Sequence, residues 1–121
     1  MSAAVAERPK ATAGSAGILI QLREKLGWSR SFLALVMNCS DRALVNWEQG
    51  EPMSAIYAAR LRELQDIHDK VRKIVKPKSV GDWLKSEMEE FAGRSPADLI
   101  QRGETGWLWE SLYFLQSGQP D

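Results

Sequence analysis

One cysteine, Cys39, and one histidine, His68, are all that this chain of 121 residues offers as soft metal ligands. Together they cannot complete a four-ligand zinc site, and a lone cysteine cannot close an internal disulfide. No metal or other cofactor is therefore expected. No apolar run approaches the roughly 20 residues that a membrane span needs, and the opening MSAAVAERPKATAGSAG is too polar for the core of a signal peptide. These absences point to a soluble, cytoplasmic protein without a membrane partner. Strand-like alternation of apolar and polar residues is missing over any useful length, as are internal repeats, which leaves an all-α fold. Catalytic groups are also scarce. His68 falls on or beside the apolar stripe of a helix and reads as a packed residue, and Cys39 has no second catalytic group specified near it, so an enzyme is not expected.

Net charge is absent as well, but only in the sum. Up to Lys78 there are thirteen bases against eight acids, a balance of +5; from Ser79 onward three bases face eight acids, a balance of −5. A segment that attracts phosphates is joined to one that repels them, which suggests two partners.

Helical periodicity and its punctuation divide the rest. Residues 1–15, rich in Ala, Gly and Ser, read as a disordered arm. Ile18, Leu19, Leu22 and Leu26 mark a first helix over Ala16–Leu26, closed by Gly27. Ser29 caps a second, with Phe32, Leu33, Val36 and Met37 inward and Asn38 as its stop; Ser40 caps a third, Asp41–Gln49, that buries Leu44 and Trp47. Pro52 fits the first turn of a long fourth helix reaching about Val75, with Met53, Tyr57, Leu61, Leu64, Ile67 or His68, Val71 and Ile74 as its stripe. A fifth helix after Ser79 carries Trp83, Leu84, Met88 and Phe91 to about Gly93. Ser95 and Pro96 open a sixth, Ala97–Arg102. Thr105 caps the last, whose apolar face is Trp107, Leu108, Leu112, Leu115 and Phe114, and Gly118 ends it. The expected architecture is an N-terminal helix-turn-helix bundle over 16–75, joined by its long helix to a small C-terminal helical domain over 79–121.

The stretch WSRSFLALVMNCSDRALVNWEQG, Trp28 to Gly50, resembles the helix-turn-helix of Xre-type phage repressors without a gap. Ala34 stands where two helices must cross closely, Leu33, Leu44 and Trp47 at core positions, and Glu48 where the family pairs an acid with an Arg of the first helix, here Arg23. A B-form major groove admits one helix, so the resemblance places Asp41, Arg42, Val45 and Asn46 of the third helix toward double-stranded DNA. Arg42 suits guanine O6 and N7, Asn46 adenine N6 and N7, and Val45 a thymine methyl. Ser29 and Arg30, at the start of the second helix, suit a phosphate or a flanking base. Asp41 is an awkward member of this set, since its carboxylate repels phosphate unless it accepts from cytosine N4 or stands clear of the backbone. A homodimer would engage two half-sites about 34 Å apart.

From Val80 onward, Trp83, Leu84, the Gly93-Arg94-Ser95-Pro96 element, Leu99, Ile100, Leu112, Leu115 and Gly118 resemble the C-terminal domain of Xre/MbcA/ParS antitoxins. The resemblance implies a RES-domain, NAD-consuming toxin as protein partner, obstructed by the end of the antitoxin, here Gln116, Ser117, Gly118, Gln119, Pro120 and Asp121. Arg94 in its corner and the aromatic residues Trp109 and Tyr113 join them as candidate toxin contacts; Trp109, Tyr113 and Phe114 cannot all point inward with Trp107, and a homodimer interface is an equal reading of the outward ones. Two other readings stay open: a plain repressor without a toxin, and a toxin-binding module whose DNA binding has decayed. A fragment cut after Val75 is expected to retain weak DNA binding.

Overall fold

The computed structural model describes residues 15–117, and each regular element in that span is helical. Helix α1 covers residues 15–26, so Ser15 already belongs to it; the rest of the expected disordered arm lies outside the described residues. It buries Leu19, Leu22 and Leu26, positions that three- and four-residue steps bring to one side. α2 (Arg30–Met37) starts at Ser29, whose hydroxyl accepts from the Phe32 amide, and α3 (Asp41–Glu48) starts at Ser40, whose hydroxyl accepts from the Ala43 amide. Each cap satisfies one of the four amides a helix start leaves free. Between the helices Asn38 takes the left-handed conformation, φ 59° and ψ 46°, which asparagine enters more readily than most residues.

α4 (Ala55–Val71) is shorter at both ends than the expected Pro52–Val75. Ser54 is the cap, with extended backbone, and Pro52 lies in the preceding connection. Its stripe is nonetheless the expected one: Leu61, Leu64, Ile67, His68 and Val71 are buried. Near its start, Arg60 donates to the Met37 carbonyl at 3.0 Å and the Tyr57 hydroxyl to the Asn38 carbonyl at 3.3 Å. α4 thereby satisfies carbonyls that the end of α2 leaves without helical partners, and sets a cation on its negative dipole end.

The expected fifth helix is two elements. After a 3-10 turn at Pro77–Ser79, α5 (Val80–Lys85) ends where Ser86 turns extended and its hydroxyl donates back to the Asp82 carbonyl. Met88 then pairs with Arg94 in an isolated antiparallel bridge around a second 3-10 turn, Glu89–Phe91. The break lets this tight loop insert Phe91 fully into the core while Met88 stays partly covered at its edge. α6 (Pro96–Gln101) has Ser95 as its cap, accepting from the Asp98 amide. α7 (Thr105–Ser117) includes Thr105 as its first residue, not as a residue preceding it. Its fully buried line is Leu108 and Leu112, whereas Trp107, expected inward, is exposed, as is Phe114, for which both readings stood.

Packing runs across residues 75–79 without a seam. Val80, Leu84, Phe91, Leu99, Leu108 and Leu112 belong to the same buried cluster as Leu19, Leu33, Leu44 and Leu64, and α6 packs on α2 as well as on α5 and α7. Three polar and steric contacts reinforce this. The Trp28 indole donates to the Gly81 carbonyl at 3.2 Å, and the Asn38 amide nitrogen donates to the Gln101 carbonyl at 2.7 Å. At Gly81 a Cβ would lie 1.8 Å from the Leu26 carbonyl oxygen, so only glycine lets α5 approach the end of α1 this closely.

Candidate functional site

The face expected to meet DNA is built from the end of α1, the start of α2 and the whole of α3. Arg42 is exposed at the start of α3, and Val45 and Asn46 are half-buried one turn later. Arg42 and Asn46, four residues apart, share a helix face. Asp41 is held by the Ser31 hydroxyl, which donates to its Oδ2 at 2.7 Å. The carboxylate thus ties the start of α3 to α2 as well as suiting the helix dipole. Nothing in the sequence flagged Ser31 for this role.

Glu48 does more than the expected pairing with Arg23. Its Oε2 accepts from Arg23 Nε and its Oε1 from Arg30 Nη2, each at 3.0 Å, with the carboxylate side chain only 9% exposed. One acid therefore joins α1, α2 and α3 and draws Arg30 toward α3, while Ser29 caps α2 beside it. Glu48→Ala should lower stability by about 2 kcal/mol, since it removes two charge-assisted hydrogen bonds and leaves the less exposed Arg23 unpaired. Thermal unfolding measures that loss, and unchanged base preference in operator binding separates a residue that assembles the face from one that reads DNA.

Cys39, in the turn of the motif, is partly buried. Burial, then the Asp41 carboxylate, push its thiol above the usual cysteine range, with Arg60 opposing. It is thus further from a reactive thiolate than a free cysteine.

The second candidate face lies on α7 and the corner before it. Arg94 reaches the Glu104 carboxylate, lies 3.9 Å from Asp98, and sits over the Trp107 ring at 5.6 Å. Trp107 in turn packs edge-on against Phe91 at 5.5 Å. Arg94 is therefore braced from three sides and partly covered. Trp109 turns the other way, half-buried, its indole donating to Glu63 of α4 at 3.0 Å. Tyr113 is 60% exposed beneath Lys70, whose ammonium is 4.8 Å from the ring centre. Gln116 and Ser117 are exposed at the helix end, and the expected contacts Gly118, Gln119, Pro120 and Asp121 lie outside the described residues. Two further residues complete it: Trp107, expected in the core, at 40% exposure, and Phe114, read both as core and as an outward aromatic, at 75%. They stand seven residues apart, hence on one side of the helix. Trp109 joins α7 to α4, and the outward aromatic surface is Trp107, Phe114 and Tyr113.

No family model matches the chain, and no curated protein matches it. Among solved structures it is similar to a chain of the M. tuberculosis MbcT-MbcA toxin-antitoxin complex, with a TM-score of 0.71 and 21% identity, over 88% of this chain and 96% of that one. The fold is shared with the MbcA antitoxin. Because the shared span exceeds either half of the present chain, the likeness to MbcA in fold covers both the α1–α4 part and the acidic C-terminal helices in one arrangement.

Proposed function

We propose that this chain is an antitoxin that binds and neutralises a RES-type, NAD-consuming toxin and represses its own operon by sequence-specific binding to double-stranded DNA as a homodimer. The observation that carries the reading is the fold held in common with MbcA across both halves. The outward aromatic residues of α7 support a protein partner, since Trp, Tyr and Phe are enriched at interfaces and rarely left in a group on a free surface. Exposed Arg42, with Asn46 on the same face, supports the DNA partner.

The decisive assay measures NAD loss by purified RES toxin in the presence of the chain and its variants. The full chain should suppress NAD loss. Deleting Gln116–Asp121 should restore it while the complex still forms, if the end of the chain obstructs the active site; full inhibition by the shortened chain would move the inhibitory surface to Arg94 and the aromatic face. Operator binding without any toxin capture would mark a plain repressor. On the DNA side, Arg42→Ala and Asn46→Ala should each weaken operator binding by about 1 to 3 kcal/mol and relax base preference. Wild-type affinity in both folded variants, read by salt-controlled gel shift, would remove α3 from DNA recognition.

A further inference from the structure

A cleft of about 450 Å³ opens where the ends of α1 and α4 meet the Pro77–Ser79 turn, lined by Lys25, His68, Arg72, Pro77 and Lys78. We propose that it binds a small phosphorylated ligand carrying at least two phosphate charges. The proposal is independent of the antitoxin reading and concerns a different surface. Lys25 follows Arg23 by two residues, about 200° around the helix; Arg23 faces Glu48 of α3, so Lys25 points away from the DNA-reading face.

Charge is the first argument. Lys25, Arg72 and Lys78 are exposed, and none is paired with a carboxylate among the described residues. Two helix ends in the wall contribute only about half a negative charge each, so three unit cations leave the cleft positive. The local sequence, Lys70 to Lys78, holds five bases and no acid. Arg72 supplies the planar fork that suits two phosphate oxygens, and the lysines supply point charges.

The buried imidazole is the second. His68 is 4% exposed, yet it lines the cleft. Its Nδ1 is engaged by Asp69 Oδ1 at 3.1 Å. Asp69 thus fixes the orientation of the ring at the cleft wall. A ring held in one orientation beside three cations forms a fixed wall for a ligand and a reporter of its arrival. Size is the third argument, since the volume falls in the range of small-molecule sites and exceeds what a single phosphate fills.

His68 is the sole histidine, so its imidazole proton resonances form a one-residue reporter. Inorganic pyrophosphate is titrated into the full chain at ionic strength held constant with sodium chloride. The His68 resonance should shift saturably. Arg72→Gln should weaken the fitted affinity about ten-fold, the loss expected for one charge-assisted hydrogen bond, and adding Lys78→Gln should weaken it again by a similar factor. Both substitutions are on exposed side chains, and an unchanged melting temperature verifies the fold. A shift that drifts without saturating, or equal affinity in wild type and double variant, overturns the proposal. So does a His68 shift produced by duplex DNA and not by pyrophosphate, which would make the cleft a DNA-backbone contact.

Discussion

A fragment ending at Val75 should show no cooperative thermal transition and no operator binding, although it contains the whole of α1 to α4. The sequence suggested the opposite, because helix breaks and charge place a boundary near Pro77. Packing argues against that expectation. The fragment would lose Val80, Leu84, Phe91, Leu99 and Leu108 from the cluster that also holds Leu19, Leu33 and Leu64, and with them the packing of α6 on α2 and of α7 on α4. It would also strip the Trp28 indole of its acceptor at Gly81 and the Asn38 side chain of its acceptor at Gln101. Losing even two fully buried leucine-sized neighbours costs about 4 to 10 kcal/mol, which reaches the entire stability of an ordinary domain. Circular dichroism melting and a gel shift on the fragment decide the matter; a sigmoidal melt with retained binding would show that the first four helices fold alone.

Gly81→Ala should be the most damaging conservative substitution in the chain. An added methyl would sit 1.8 Å from the Leu26 carbonyl oxygen and 2.8 Å from its carbon, both backbone atoms that no rotamer change can move aside. Separating α5 from α1 costs about 3 kcal/mol, the upper end for overpacking, or a fall of roughly 10 to 20 °C in melting temperature. Gly106→Ala supplies the contrast. Its added methyl meets nothing within 4 Å in α7, so alanine's better helix propensity should raise stability by up to about 1 kcal/mol. A neutral or stabilising Gly81→Ala would contradict the close approach.

Local chemistry was legible in the sequence wherever it involved neighbours along the chain. Ser29, Ser40 and Ser95 cap the helices they precede, Asn38 takes the left-handed turn, and the α4 stripe from Leu61 to Val71 faces the core. The Glu48–Arg23 pair, 25 residues apart, was legible only through resemblance to a repressor motif. Illegible were features that depend on which face the tertiary fold covers. Trp83, Leu84, Met88 and Phe91 fit one helical stripe, but the Met88–Arg94 bridge breaks the segment and carries Phe91 inward. Trp107 reads equally well as core, and only the packing of Leu108 and Leu112 leaves it outside. On the candidate DNA face, Ser31 holding Asp41 and Arg30 shared by Glu48 are pairings between helices, with no spacing rule to announce them.

The bond from Asn38 to Gln101 has a consequence for how this molecule breathes. A turn anchored by the far end of the chain cannot open on its own: fraying of α6 removes the acceptor that pins it, and movement of the turn removes a donor from α6. Amide protons of α2 and α6, 63 residues apart at that contact, should therefore exchange with solvent at matched rates, as one cooperative unit. The α2–α3 pair of this chain is then not a cassette that recombination can lift into another protein; it travels only with the helices that close over it.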